Sequence, residues 1–224
     1  MRGARLGFPI FLGYMPVGMA FGVIATTIGF SIPQATVCSA TALAGAGQLI
    51  ALSLMRAGEG AVAVVAATTI VNLRYLLFAA TLSPHLRRTS LSGQAVLAFT
   101  LTDETFAINI TDRRSGLSSA MSMAGVGAIA WVGWVGGTVI GASATAWIGD
   151  PSRFGVDFAM PAMFTALFIA LAEDRRHVII GIVAAAIAVM LPALASLGLD
   201  VPTSWFIVVA TMVAATAGTV LFRE

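Results

Sequence analysis

Charge is scarce in this sequence. Only 22 of its 224 residues are charged, which is 10%, whereas soluble domains carry about 25%. These charges are too few to coat a soluble globule of this size, so the composition excludes a soluble enzyme. Disorder is excluded by the opposite property, because 58% of the residues are hydrophobic and the mean hydropathy is +0.96.

Other residue types are absent or rare. All twelve basic residues are arginine, which excludes a Walker A loop, a Schiff-base lysine and a pyridoxal phosphate site, since each needs the lysine amine. Cys38 is the single cysteine and forms no intramolecular disulfide. The two histidines, His85 and His177, are too far apart for a metal site. We therefore expect no cofactor and no metal. We also expect no nucleic acid partner, because no basic patch is interleaved with aromatic residues.

The chain is instead rich in long apolar runs. A membrane-spanning helix needs about 20 apolar residues and a membrane-spanning β-strand about ten, and the runs here match the helix. We predict an all-α fold, a polytopic membrane helix bundle with about seven or eight transmembrane helices, forming one transporter domain over residues 1–224. The candidate segments are residues 8–29, 34–55, 61–82, 93–111, 117–148, 157–172, 177–199 and 203–222.

Proline and glycine predict breaks in some of these helices. The fifth segment is too long for one simple span, and its glycines would allow a break or a tilt. The sixth is short and carries Pro161, so we expect a half-helix there. Pro16 in the first segment removes a hydrogen-bond donor and disturbs one turn. Each proline follows a methionine, which predicts an inverted repeat with Pro-broken helices, a pattern typical of transporters.

The distribution of arginine predicts the orientation. With a cytoplasmic N-terminus and eight crossings, eight arginines lie inside and three outside, which agrees with the positive-inside rule. The inside group is Arg2, Arg5, Arg56, Arg113, Arg114, Arg175, Arg176 and Arg223, and the outside group is Arg87, Arg88 and Arg153.

Three charges do not fit in loops. Arg74 lies inside the third segment, and Asp103 and Glu104 lie inside the fourth. Each charge costs about 2.5–3.5 kcal/mol at the bilayer centre on insertion scales. Arg74 precedes the connecting loop by about as many residues as Asp103 follows it, so they lie at similar depth. An ion pair of Arg74 with either acid is therefore feasible.

Two interpretations of these charges remain open. In the first, the pair only holds the helices together. In the second, one acid is a protonatable coupling site, because two adjacent acids point to different faces and one arginine does not neutralise both. Gln48 and Asn72 are further polar residues in apolar runs, and Gly18 lies in a glycine motif more typical of helix packing.

Five stretches, in order along the chain, resemble the motifs of one family. They read GYMPVGMAFG at 13–22, AGAGQ at 44–48, NLRYLL at 72–77 with LSPHL at 82–86, LTDETF at 101–106, and DFAMPAMF at 157–164. The family is the AzlC-type branched-chain amino acid exporter, the large subunit of a two-component permease. Tyr75 and Leu43 depart from the pattern, which often has histidine and phenylalanine there.

The resemblance implies a secondary transporter in the bacterial cytoplasmic (inner) membrane, not an enzyme. It implies export of leucine, isoleucine, valine and sometimes methionine, with a small AzlD-type membrane subunit as partner. We expect Arg74, or amide groups near the two prolines, to meet the substrate carboxylate. Asp103 or Glu104, with Gln48 and Asn72, would meet the amine or carry the coupling proton. The predicted substrate-binding or coupling residues are Arg74, Asp103, Glu104, Asn72, Gln48, Pro16, Gly18, Phe21, Tyr75 and Pro161.

Other functions remain as alternatives. The main one is a non-transporting scaffold or receptor subunit whose intramembrane charges are structural. A channel is another, and measuring uphill transport separates it from a secondary transporter. A membrane enzyme is the most distant, since no histidine or metal-ligand cluster accompanies the acids.

Overall fold

The computed structural model describes residues 2–116, 118–148 and 174–195, and scattered residues elsewhere (158, 165, 168–169, 212–214, 216–218 and 220). The chain divides into two compact units, Met1–Pro161 and Ala162–Glu224. All described elements are helices, which confirms the all-α prediction for this part of the chain. The helices are α1 (Arg2–Thr27), α2 (Ile32–Thr41), α3 (Gly45–Arg56), α4 (Ala61–Asn72), α5 (Arg74–Leu82), α6 (Leu91–Phe99), α7 (Asp103–Arg114), α8 (Ala120–Ile148) and α9 (Arg175–Ala195), with a 3₁₀ turn at Ser83–Leu86.

Three helical stretches in the described residues are long and apolar enough to cross a membrane. They are Arg2–Thr27, Ala61–Leu86 and Ala120–Thr145. The second consists of α4, α5 and the 3₁₀ turn, with a kink at Leu73, whose N–H bonds to the Ile70 carbonyl. Of the break or tilt that the glycines of the fifth segment would allow, the break does not occur, because α8 is one continuous helix of 29 residues.

Helices α1 and α8 run parallel, in contact along their length. At one end a side chain on Gly3 would lie 2.1 Å from the Ser122 carbonyl oxygen. At the other, the Thr26 and Thr145 hydroxyls are 2.8 Å apart. The glycines of α8 therefore allow close packing against α1 rather than a break. Because the two helices are parallel, an odd number of crossings must separate them.

The second segment is a re-entrant hairpin. Four residues separate the end of α1 from the start of α2. Helix α2 then runs antiparallel to α8 as far as the level where the Ser39 hydroxyl lies 2.6 Å from that of Thr138. The chain breaks at residues 42–44, and α3 returns beside α4. A Cβ on Gly47, near the start of α3, would lie 2.9 Å from the Asn72 side chain, near the end of α4. Helices α4 and α5 form one spanning stretch that ends at the N-terminal face, where the His85 carbonyl accepts from Arg113. Since α3 is antiparallel to α4, α3 ends at the opposite face, which is the face through which α2 entered.

The fourth segment is a second re-entrant hairpin, entered from the opposite face. Helix α7 ends beside the start of α1, where Arg2 pairs with Asp112. The Arg113 guanidinium also donates to the His85 carbonyl at 2.8 Å, just before α6 begins. Both ends of the hairpin therefore lie at one face, while its break at residues 100–102 reaches Tyr14 in the middle of α1.

The prediction that segments two and four cross the membrane is therefore wrong. A hairpin of two half-helices has the length and hydropathy of one spanning helix, so residue counts do not separate them. With hairpins in place of crossings, the arginines of residues 2–148 are distributed more unequally between the two faces, because only Arg56 lies at the face opposite the N-terminus. The N-terminal face now carries Arg2, Arg5, Arg87, Arg88, Arg113 and Arg114.

The first 114 residues contain an inverted repeat. Each half is a crossing helix followed by a hairpin with a three-residue break, and the returning helices α3 and α7 each have 12 residues. Their bounds differ by 58 positions at both ends (45 to 103, 56 to 114). The predicted repeat paired other segments and was proline-based. Helix α1 continues through Pro16, and the predicted half-helix at Pro161 lies outside the described residues.

In the second unit, Asp174 accepts a hydrogen bond from the backbone N–H of His177 at 3.0 Å, which caps the start of α9. This bond lowers the pKa of Asp174 below its usual value. Further along α9, Gly181 lies against the ring of Phe168.

Cysteine labelling tests the hairpin topology. In a Cys38→Ala background, we expect Arg88→Cys and Ser115→Cys to react with a membrane-impermeant maleimide from the same side of the membrane, and Ala57→Cys from the opposite side. With eight crossings, positions 57 and 115 would share a side and position 88 would lie opposite, which would contradict the hairpins.

Glycine substitutions test the α1–α8 packing. A Cβ on Gly141 would lie 2.0 Å from the Met19 carbonyl oxygen, whereas one on Gly136 meets nothing within 4 Å. We expect Gly141→Ala to lower the free energy of unfolding by about 1–3 kcal/mol through overpacking. The matched control Gly136→Ala should raise it by about 0.4–1 kcal/mol. Thermal unfolding of detergent-purified protein measures both, and equal effects would refute the close packing.

Candidate functional site

The two hairpins bring their breaks to the middle of the first unit. Tyr14 is near the midpoint of the 26-residue α1 and Trp134 is at the midpoint of the 29-residue α8. Their rings meet edge to face with centroids 5.7 Å apart. The Tyr14 hydroxyl bonds to Thr102 of one hairpin, and the Trp134 ring lies against Gly45 of the other. The aromatic pair therefore links the two breaks.

The intramembrane arginine forms an ion pair with one of the two acids. Arg74 Nη1 lies 3.0 Å from Asp103 Oδ1, and the Asp103 side chain is only 8% exposed. Arg74 starts α5 just after the kink, and Asp103 starts α7 just after the hairpin break. The geometry matches the depth argument from the sequence, which left either acid as the partner of Arg74.

Glu104 faces away from Arg74. Its carboxylate accepts a hydrogen bond from the Tyr14 hydroxyl, and that hydroxyl also lies 2.7 Å from Thr102 Oγ1. In the described part of the chain, no arginine or histidine lies within ion-pair distance of Glu104. The adjacent acids thus have different environments, one neutralised by a cation and one held by a neutral hydroxyl.

A capping box starts α7 in the apolar interior. The Thr102 side chain accepts from the Thr105 N–H, and the Thr105 side chain accepts from the Thr102 N–H at 2.8 Å. These bonds satisfy donors that a helix start leaves unpaired, which is essential where water is absent. Both acids follow in the first turn, where negative charge is favourable. The local sequence thus explains why the chain re-forms a helix here.

Two further predicted residues lie at the start of α3, Gln48 on α3 itself and Asn72 at the end of α4. Gln48 is 7% exposed, and its Nε2 donates to the Cys38 carbonyl at 3.2 Å. Asn72 lies against Gly47. Among the described residues, neither Gln48 Oε1 nor Asn72 Oδ1 has a hydrogen-bond partner, although both are buried.

The other predicted residues lie around this region, and some of them make no contact with it. Phe21 is fully buried with its ring 5.9 Å from that of Trp134. The Tyr75 ring lies 5.4 Å from the Arg74 guanidinium carbon. Gly18 packs on the Trp134 carbonyl and so belongs to the helix interface. Pro16 is exposed on the surface of α1. Pro161 lies outside the described residues.

Sequence reasoning missed Tyr14, Thr102 and Trp134 as site residues. Tyr14 was visible as a hydroxyl-bearing residue in the middle of an apolar span. Thr102 and Thr105 have the spacing of a capping box, which is a helix-start signal inside an apparent spanning segment. No comparable signal marks the break before α3, where residues 42–44 read Ala-Leu-Ala.

Comparisons with known proteins agree with the motif resemblance. The inner membrane protein YgaZ of Escherichia coli (strain K12) is 31% identical over 182 residues, which cover 79% of this chain and 74% of that protein. The branched-chain amino acid transport protein AzlC of Bacillus subtilis (strain 168) is 26% identical over 171 residues, which cover 75% and 66%. No solved structure matches the chain.

The match to the family model extends over the region that forms the site. The model described as AzlC protein covers residues 9–148, which include α1 from its second turn, both hairpins and all of α8. Tyr14, the Arg74–Asp103 pair and Glu104 all lie inside this range. The chain therefore belongs to the AzlC family of transport-related membrane proteins.

Proposed function

We propose that this chain is the large subunit of a secondary transporter that exports leucine, isoleucine, valine and methionine, and that residues 1–224 act as one transporter domain. The observation that carries the proposal is the charge cluster at mid-depth, where Glu104 has no cation against it in the described residues. The name of the Bacillus subtilis relative, a branched-chain amino acid transport protein, supports the substrate class.

The proposed orientation places the N-terminus in the cytoplasm of a bacterial cell. Six of the seven arginines near the ends of the helices in residues 2–148 lie at the N-terminal face, and cytoplasmic loops carry the excess of arginine. The Escherichia coli relative is named an inner membrane protein, which supports the same membrane here. We also propose a small AzlD-type subunit as partner, on the family resemblance.

Glu104 is the proposed coupling residue. Arg74 already neutralises Asp103 at 3.0 Å, so Glu104 is the acid whose charge must be neutralised in another way. An uncompensated carboxylate at mid-depth costs about 2.5–3.5 kcal/mol on insertion scales, and binding a proton removes this cost. Because Tyr14 of α1 donates to Glu104 of α7, the protonation state of Glu104 changes the bond between a spanning helix and a hairpin. Binding of an incoming proton at Glu104 thereby drives the conformational change that resets the exporter for its next substrate.

A structural role for the charges is the alternative. The Arg74–Asp103 pair alone fits a scaffold, because it joins α5 to α7 and would hold the helices together without transport. Glu104 distinguishes the two functions, because it forms no ion pair in the described residues and its hydrogen bond from Tyr14 needs only an acceptor, not a charge.

Replacing Glu104 tests the coupling. Glu104→Gln keeps an acceptor for the Tyr14 hydroxyl and the side-chain volume, so we expect normal protein levels. Leucine efflux should lose its dependence on an imposed pH gradient, with at least a tenfold fall in gradient-driven efflux. The control Tyr14→Phe removes the bond but keeps the Glu104 carboxyl group, so its efflux, although slower, should still respond to the gradient. Gradient dependence that survives in Glu104→Gln would exclude this residue as the coupling site.

Reversing the ion pair tests the alternative. Arg74→Asp alone places two acids together and should lower the amount of folded protein. Adding Asp103→Arg restores opposite charges, so we expect protein levels to recover while leucine efflux does not, because the cation then lies on the hairpin helix α7 next to Glu104 instead of on the spanning helix. If the ion pair is purely structural, the double variant should recover leucine efflux as well as protein level. Recovery of efflux in the double variant would therefore favour that role.

A further inference from the structure

The two inverted hairpins differ in how their returning helices begin. Helix α7 starts with a Thr102 cap followed by two acids in its first turn. By the offset of 58 positions, the equivalents in the other hairpin are Ala44, Gly45 and Ala46. No side chain caps the start of α3. One helix start at mid-depth therefore carries its own acceptors and negative charge, and its counterpart has neither.

The start of α3 presents backbone donors that the helix itself leaves unpaired. Its first α-helical hydrogen bond runs from the Gln48 N–H to the Ala44 carbonyl at 2.9 Å, so the N–H groups of Gly45, Ala46 and Gly47 precede the bonded ladder. These groups form the positive end of the helix dipole, and such ends bind anions. Ala46 is 5% exposed, so bulk water does not reach this turn freely.

Two buried amide oxygens without partners lie at the same turn. Gln48 is 7% exposed, and its Oε1 has no hydrogen-bond partner among the described residues. The Asn72 amide packs on Gly47, and its Oδ1 likewise has no partner there. Since buried polar groups are nearly always paired, these two oxygens indicate a site for a polar ligand.

We propose that the first turn of α3 binds the carboxylate of the amino acid substrate. The N–H groups of Gly45, Ala46 and Gly47 donate to the carboxylate, and the amide oxygens of Gln48 and Asn72 accept from the ammonium group. The ligand carboxylate thus supplies negative charge at the start of α3, as the two acids of the first turn do at the start of α7. This inference rests on the proposed function and changes the expected binding group, because Arg74 is already paired with Asp103.

The absence of side chains at positions 45 and 47 fits this role. A Cβ on Gly45 would lie 3.1 Å from the Trp134 ring, and one on Gly47 would lie 2.9 Å from the Asn72 amide. Glycine therefore lets the ring and the amide approach the backbone donors closely, which places the donors and acceptors for a zwitterion within one helical turn.

An added cap tests the proposal. Ala44→Asp supplies a carboxylate at the N-cap of α3, where it takes the donors meant for the substrate. Such caps stabilise helices, so folding should be retained. Calorimetry on the full chain in lipid nanodiscs should show at least a tenfold loss of leucine affinity. Leucinol, which has the same side chain and amine but no carboxylate, should bind wild type at least tenfold more weakly than leucine and should not be weakened further by the cap.

The control is Gly60→Asp, which adds the same group to the uncapped start of α4, away from mid-depth, and should leave leucine affinity unchanged. Ala44→Asn gives the same comparison without an added charge if Ala44→Asp is unstable. Undiminished leucine binding in the capped variant, or equal binding of leucine and leucinol by wild type, would overturn the carboxylate site alone. Wild-type protein that binds no leucine would overturn the proposed function, and this site with it.

Discussion

Two helices of this protein, α3 and α7, begin in the middle of the membrane rather than at its surface. A helix start leaves several N–H groups without partners, and in an apolar medium each unpaired group costs several kcal/mol. The arrangement of the first unit depends on how these donors are satisfied. The start of α7 uses Thr102, Thr105 and its own acids. The start of α3 has no side-chain cap, and we infer that the substrate supplies the missing negative charge.

The surrounding helices provide a rigid frame for the two breaks. Glycines let α1 and α8 pack backbone to backbone, and this parallel pair carries Tyr14 and Trp134 at mid-depth. Each aromatic side chain contacts a different hairpin, so a change at one break can be transmitted to the other. The proposed transport cycle uses this connection, with the proton at Glu104 on one hairpin and the carboxylate on the other.

Much of the fold class and part of the site were predictable from the sequence. Scarce charge and 20-residue apolar runs indicate membrane helices, and residue counting placed Arg74 and Asp103 at one depth because helical rise is constant. The hairpins were not predictable from length, since two half-helices together are as long as one spanning helix. Proline was a misleading signal, because α1 passes through Pro16 unbroken, whereas the breaks occur at Ala-Leu-Ala and Thr-Leu-Thr.

An experimentally determined structure of the full chain with leucine bound would test the central claim most directly. The account predicts that the leucine carboxylate lies within hydrogen-bond distance of the backbone N–H groups of Gly45, Ala46 and Gly47, while Arg74 remains paired with Asp103. A leucine carboxylate bound to Arg74, with the start of α3 unoccupied, would contradict it.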